Sequence, residues 1–395
     1  MSGILEGIRV LDFGRYIAGP FCATMLGDMG AEVIRVERVE GSEDRFLASV
    51  AESGEGGTFL QLARNKQGLT LDPMKPESAE IKRRLVATAD VVVANLPIGT
   101  LKQMGIDYDT LRAIKPDIIL THVSAFGQTG PYKDRVGFDL LGQAMSSMMY
   151  MSGQPGAPIR SQAPYVDFTT ALFAAFGTLS ALMERQKSGR GQMVEASLFH
   201  SSLALMNSFL VEESVLKLNR QPHGNAGHHH APNDVFRTSD GFLVTMIVGN
   251  PLFKRWARML DEEDPWLTDE RFATDLARGN HAEIISERMS AWCAQRTTQQ
   301  AIAELEAARI PAGPVYSMAE TLDDPHVRAR EMLKYVDYPG LPSPAPIADT
   351  PVKLHATPGG IRHRAPTLGE HTDQILTSLG FSAQEIADFH TARVV

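Results

Sequence analysis

Cysteine is nearly missing from this chain of 395 residues: Cys22 and Cys293 are its two, far apart in sequence. That excludes a disulfide framework and a cysteine-based zinc site, and it fits a reducing, cytoplasmic compartment. A basic tract is missing as well. Lys and Arg number 38 against 47 Asp and Glu, for a net charge of −9. Such a chain is poorly suited to nucleic acid or an anionic membrane, although a local basic pocket for a small anion remains open. The first residues show no charged start followed by an apolar stretch, so no signal peptide is expected. The longest uncharged segment, Phe168 to Met183, is bracketed by Asp167 and Glu184. It falls short of the roughly 20 apolar residues a membrane span needs, and reads as a buried helix. No G-x-G-x-x-G follows a strand, and there is no P-loop and no G-x-S-x-G elbow. The usual dinucleotide, nucleotide-phosphate and serine-nucleophile signatures are therefore absent.

What is present is an ordinary globular composition, 43% apolar and 22% charged, long enough for one large domain or two to three smaller ones. The first half alternates. Ile8 to Phe13 reads as a strand, Phe21 to Met29 as a helix, and Ala31 to Glu37 as a second strand. Pro76 to Ala89 reads as a helix, Asp90 to Leu96 as a valine-rich buried strand, Thr100 to Lys115 as a helical piece, and Asp117 to Phe126 as another strand. This repetition implies a parallel sheet covered on both faces, with ligands outside the carboxyl ends of its strands. From Leu140 the pattern changes. Leu140 to Met151 and Phe168 to Gln186 read as apolar helices, followed by a turn and a strand from Gln192 to Leu198. The loop-like stretch Asn219 to Asn233 marks a boundary. Beyond it a smaller unit is expected, with a strand at Phe242 to Val248 and helices at Pro251 to Leu260, His281 to Ala294 and Gln299 to Ala308. Pro339 to Pro346 reads as a connector, and Asp373 to Leu379 as a last helix.

Several clusters invite a chemical reading. Gly14 to Pro20 follows the first strand and precedes a helix, so its backbone N–H groups can face an anion, but an ordinary strand-to-helix turn is the favoured reading. His228 to His230, near His223, lack the helical spacing of a metal site, so a loop is expected there and no metal. Met145, Met148, Met149 and Met151 read as deformable core packing, with a wall around an acyl chain as the alternative. Asp167, in Tyr165-Val-Asp-Phe168, stands where an apolar helix begins. It is either an N-cap bonding the first-turn N–H groups or a carboxylate held ready as a nucleophile, and the residues alone leave both open.

Taken together, the residues resemble family III CoA transferases, the group that includes formyl-CoA:oxalate and carnitine CoA-transferases. The resemblance spans nearly the whole chain. Gly7-Ile-Arg-Val-Leu-Asp-Phe13 with Ala18-Gly-Pro20 looks like the family opening, and Gly30-Ala-Glu-Val-Ile-Arg-Val-Glu-Arg38 like its second strand. Asn65-Lys66, Asn95, Gly130-Pro131, Lys187-Ser-Gly-Arg-Gly-Gln192, Asn225-Ala-Gly227, Pro311-Ala-Gly-Pro-Val315 and Leu368-Gly-Glu-His-Thr372 continue the match. The resemblance implies a large Rossmann-like parallel-sheet domain and a smaller α/β domain in an interlocked homodimer. It implies the large domain's first part in residues 1–224, the small one in 225–325, and a return to the large one in 326–395. It makes Asp167 the catalytic aspartate and places Arg38, Lys66, Asn95, Ile17 and Asp139 at the CoA and substrate site. Gln103 stands where some members carry a phosphate-binding arginine, with Lys102 as a substitute. Ile17 replaces a polar amide of the oxalate enzyme, and His228 to His230 replace the glycines of its loop.

The activity so implied moves CoA from an acyl-CoA to a free carboxylate through a covalent aspartyl intermediate, without ATP or metal. Arg15, Tyr16 and Arg160 are candidate receptors for a second carboxylate, as in succinate, although each reads equally as a solvated surface residue and Arg160 reads better as one. Two other readings compete. An α-methylacyl-CoA racemase of the same fold needs an acid–base pair; Phe138 stands where such racemases carry a histidine, leaving only His122 to approach from elsewhere. A non-catalytic CoA-binding protein is the third.

Overall fold

A computed structural model describes residues 3–395. Its contacts divide the chain into two compact units, one of Met1–Ser146, Ser161–Val211 and Arg328–Val395, the other of Ser147–Arg160 and Glu212–Val327.

The first unit is built on a six-stranded parallel sheet of β1 (Arg9–Asp12), β2 (Glu32–Glu37), β3 (Lys66–Thr70), β4 (Val91–Ala94), β5 (Ile119–Ser124) and β6 (Met193–Ser197). Their order is β3-β2-β1-β4-β5-β6. Val10 of β1 lies between Val33 of β2 and Val91 of β4, so the order reverses between β1 and β4. At such a switch point the connections leave to opposite faces and open a crevice at the strands' carboxyl ends. The four residues of β4 are all fully buried, which is why its sequence is an unbroken apolar run. On one face Leu11, Ile34, Val92 and Leu120 pack against Ile81 and Leu85 of the helix Ser78–Thr88 and against Ile375, Leu376 and Phe381 near the carboxyl end. Each such side chain contributes about 1.5–3 kcal/mol by leaving water.

The other face is covered by α1 (Ala18–Asp28) and the long helix Tyr165–Ser188. In the long helix Val166, Thr170, Ala171, Ala174, Ala175, Thr178 and Ala181 are buried, a stripe of small residues at spacings of three and four that lets it lie close to its neighbours. Gly189, at φ 67°, ends it. The expectation of a buried helix holds for that stripe alone. Phe173, Phe176, Leu179 and Met183 on the outer side are exposed, Phe176 by 72%, because only one side meets the unit's core. The helix is long and apolar enough to cross a membrane by length and composition, with half of its most apolar window buried inside the protein.

The outer edge of β3 is closed by a segment from much later in the chain. His371 N–H donates to the Gly68 carbonyl (3.0 Å), the Gly68 N–H to His371 Nδ1 (3.2 Å), and the Thr70 N–H to Thr372 Oγ1 (3.0 Å). Just before β3, Asn65 Oδ1 accepts the N–H groups of Arg362 (2.7 Å) and His363 (3.0 Å).

The second unit carries a three-stranded antiparallel sheet of β7 (Asn233–Arg237), β8 (Phe242–Met246) and β9 (Ala312–Pro314), in that order. Phe236, Leu243, Phe253, Trp256, Ile285 and Trp292 fill its core. In the loop before β7, His229 Nε2 bonds Glu212 Oε1 (2.8 Å), His230 bonds Asn233 (3.1 Å), and the rings of His223 and His228 lie 4.5 Å apart.

Two helices read as continuous are broken. The piece Thr100 to Lys115 is Ile98–Met104 and Tyr108–Ile114, separated by Gly105 at φ 69°, with Asp107 capping the second. The piece Leu140 to Met151 is Asp139–Met145 and Met148–Met151, separated by Ser147 at φ 73°. Near the presumed connector a hairpin forms, β10 (Leu333–Val336) against β11 (Ala345–Ala348).

Candidate active site

A cleft of about 1130 Å³ opens at the carboxyl ends of the strands, where the sheet's switch point predicts it. It is lined by Arg15 to Ala18 after β1, Arg38 to Glu40 after β2, Asn95 to Thr100 after β4, and Ser124 and Ala125 at the end of β5. Asp167, from the first turn of the long helix, lines it too.

Asp167 is not the N-cap of its helix. The N-cap position is Pro164, whose side chain makes no capping bond. The capping is done from outside: Asp139 Oδ2 accepts the N–H groups of Val166 (2.8 Å) and Asp167 (3.1 Å), while its Oδ1 accepts from Gln143. The Asp167 carboxylate is thus left without a hydrogen bond to any described residue. Burial, and then the neighbouring Asp139 charge, push its pKa up to about 7. The helix N-terminus pulls the other way by about 0.3–1 kcal/mol, too little to cancel those two effects.

The turn after β1 is built by side chains and not by glycine freedom alone. Asp12 Oδ1 accepts the Gly14 N–H (2.8 Å). A Cβ on Gly14 would lie 2.6 Å from Pro20 Cδ and 2.7 Å from Asp12 Oδ1, so only glycine fits. Asn95 Oδ1 accepts the Arg15 N–H (2.7 Å), and its Nδ2 donates to the Arg15 carbonyl (2.8 Å). Two N–H groups of this turn are therefore already bonded within the protein. Held by this clamp, Tyr16 adopts φ 60°, a left-handed conformation that a bulky residue rarely enters, and its ring packs edge-on against Phe138 at 5.6 Å. Ile17 and Ala18 follow at the start of α1, whose first-turn N–H groups have no intrahelical partners.

Of the residues singled out from the sequence, Asp167, Arg38, Asn95 and Ile17 share this cleft. Lys66 and Asp139 do not line it. Lys66 Nζ is fully buried, bonded to Asp12 Oδ2 (2.7 Å) and the Pro20 carbonyl (2.8 Å). Burial works against the charge on both partners, yet Lys66 and Arg35 together hold the Asp12 carboxyl below its usual range. Asp139 is buried behind Asp167 as described. Lys102 and Gln103 also lie off the cleft wall. Arg38 is 59% exposed and paired with Glu43 (2.6 Å). Lys75 and Arg393, neither singled out from sequence, also line the cleft; Lys75 bonds the carbonyls of Ala392 and Arg393, and Arg393 pairs with Glu40.

His122 lines the cleft but is spoken for. Its Nε2 bonds the Leu96 carbonyl (2.8 Å) and its Nδ1 meets Gln128 Nε2 (3.2 Å). The carbonyl can only accept, so the proton sits on Nε2, and burial lowers the pKa further. A neutral imidazole bonded at both nitrogens is a poor proton shuttle. Cys22 is inert for a similar reason, since burial, followed by the Asp12 charge, pushes its thiol up to about 12.

Comparison with known proteins agrees with this architecture. Residues 5–372 match the family described as CoA-transferase family III. The chain is 36% identical to succinyl-CoA–D-citramalate CoA-transferase of Chloroflexus aurantiacus, covering 99% of this chain and 98% of that one. It is 33% identical to succinate–glutarate CoA-transferase of Agrobacterium fabrum, covering 95% of each. Among solved structures, a CAIB/BAIF family protein from Brucella suis superposes with a TM-score of 0.84 at 30% identity, covering 96% of this chain and all of that one.

Proposed function

The chain belongs to CoA-transferase family III and is a CoA-transferase acting on acyl-CoA thioesters, and we propose that Asp167 is the nucleophile that carries the transfer, with small dicarboxylates such as succinate as the acids exchanged. The observation that carries this is the division of labour between two carboxylates: Asp139 caps the helix, and Asp167 is left buried, unbonded and facing the cleft. The relatives that act on succinyl-CoA with citramalate, and on succinate with glutarate, support the substrate class.

The ionised Asp167 attacks the thioester carbonyl, expelling CoA thiolate and forming an aspartyl–acyl anhydride. The thiolate attacks the aspartyl carbonyl, releasing the donor acid and leaving an aspartyl thioester. The acceptor carboxylate attacks that thioester and expels the thiolate again. The thiolate then takes the acceptor acyl group from the second anhydride, and Asp167 is regenerated. One thioester replaces another, so the exchange is near balance.

A pKa of about 7 suits this chemistry. The carboxylate is more basic than one in water, hence more nucleophilic, yet about half ionised at neutral pH. Negative charge developing on the attacked carbonyl oxygen is met by the free first-turn N–H groups of α1 beside Ile17 and Ala18. The nucleotide end of CoA lies toward Arg38 and Asn95. The active form is a homodimer with interlocked chains, and the exposed apolar stripe of Phe173, Phe176 and Met183 supports association. Two free, buried cysteines agree with the cytoplasm. A racemase reading is disfavoured by Phe138 and by the occupied His122.

The test is incubation with succinyl-CoA and labelled carboxylic acids, with hydroxylamine added to trap the acyl-enzyme. Exchange that leaves a hydroxamate on Asp167, and none in Asp167→Asn, is the expected result. An active Asn variant overturns the mechanism, and CoA binding without exchange overturns the activity.

A further inference from the structure

A dicarboxylate brings one carboxylate to Asp167 and leaves another to be placed in a protein of net charge −9. That second group needs a cation with donors to spare. Most cations of the cleft are already engaged by acceptors of the protein itself. The Arg15 guanidinium, considered for this task from sequence, donates to the carbonyls of Phe13 (3.2 Å), Gly14 (2.9 Å) and Val36 (3.3 Å). Lys75 is held by two carbonyls, and Arg38 and Arg393 by carboxylates.

Arg135 differs. Its guanidinium lies 4.5 Å from the Tyr132 ring centre and 5.2 Å from that of Phe126. Among the described residues it makes no side-chain hydrogen bond and no ion pair, not even with Asp134 beside it. Aromatic faces hold a guanidinium by its plane and leave its N–H donors free. The result is an exposed cation already positioned by two rings and unoccupied by any anion of the protein itself. Lys133 is nearby but has no ring to hold it.

Its position joins it to the reacting end. Arg135, Phe138 and Asp167 line one cleft. Phe138 packs on Tyr16 and directly precedes Asp139, which holds the first turn of the Asp167 helix. We infer that Arg135 is the receptor for the non-reacting carboxylate of the substrate, and so the residue that selects dicarboxylic over monocarboxylic acids. This rests on the reading of Asp167 as nucleophile. A planar fork of donors matches a carboxylate in two places at once, which an ammonium cannot do.

The experiment compares glutarate and butyrate as acceptors with succinyl-CoA as the common donor, so that any effect on the donor cancels in the ratio of kcat/KM values. In Arg135→Gln the glutarate-to-butyrate ratio falls by about 10- to 100-fold, the worth of hydrogen bonds to a charged group. Arg135→Lys recovers part of it. Calorimetric titration with free CoA gives the wild-type affinity in both variants. An unchanged ratio overturns the inference, as does an equal loss with both acids. Weakened binding of free CoA also overturns it, by assigning the guanidinium to a CoA phosphate. Wild-type protein that exchanges with neither acid overturns the proposed function itself, an outcome distinct from exchange with unaltered selectivity.

Discussion

Asp139 accepts the backbone N–H of Asp167 at 3.1 Å, so the group whose charge adds to burial in raising the Asp167 pKa is also the group that fixes its helix turn. Charge and position are therefore separable by mutation. Asp139→Asn keeps an acceptor oxygen for the helix N–H groups and removes the like charge. The pH–rate profile of kcat/KM should move to lower pH, since burial alone then holds Asp167 up. A profile that does not move would mean that the Asp139 charge is not felt at Asp167.

Asp167→Asn should abolish exchange by three or more orders of magnitude and yet stabilise the fold at alkaline pH. The folded carboxyl holds its proton to about pH 7, and the exposed one releases it near 3.8. Stability tied to that proton is complete below 3.8 and is lost as pH rises through 7. The variant has no proton to lose. Its advantage over wild type should widen by about 2–3 kcal/mol between pH 5 and pH 8. Thermal or urea unfolding at the two pH values measures it, and a constant gap contradicts the raised pKa.

Arg38 and Lys66, grouped together by the sequence, should behave differently. Arg38→Ala should weaken CoA binding in calorimetry while the melting temperature stays put, since its pair with Glu43 is exposed. Lys66→Met leaves Asp12 buried without its partner, which costs about 3–5 kcal/mol. The loss should appear in unfolding experiments, and adding Asp12→Asn should restore part of it. Equal loss of CoA affinity in folded Lys66→Met would return Lys66 to the binding site.

A dimer interlocked as proposed should survive dilution. Interlocked chains cannot part while folded, so sedimentation from micromolar to nanomolar protein should give one species. A folded monomer appearing on dilution excludes interlocking.

The sequence was most readable where one physical demand acted alone. The valine run of β4 announces burial on both faces, whereas the long helix, read as buried, is buried along one side only, because its small and large apolar residues are not told apart by an uncharged run. Breaks at Gly105 and Ser147 escaped because each depends on a single left-handed residue inside an otherwise helical pattern. The last helix, Ala383–Thr391, did carry a signal: Ser382 and Glu385 form a capping box visible as S-x-x-E. The ambiguity at Asp167 was real, because only the fold brings Asp139 across to do the capping. Lys66 could not be separated from Arg38 by spacing, since the partner that hides it, Asp12, is 54 residues away and meets it only because β1 and β3 flank β2 in the sheet. Arg135 carries no signal in the sequence, because only the fold brings the rings of Phe126 and Tyr132 to flank it.

The closure of β3 by His371 and Thr372 sets an order of events during synthesis. Residues 302 and 303 positions apart must meet before that edge is sealed. As the chain emerges, the first strands can pair early, but the outermost one keeps unpaired N–H and C=O groups until the segment near residue 370 arrives. An open strand edge is a template for any other strand, including that of a neighbouring nascent chain. Pairings between such distant residues are also slow to form. The late segment thus acts as an internal guard against aggregation, and a chain cut short before it would lose that edge protection together with the Ile375, Leu376 and Phe381 cover of the sheet face.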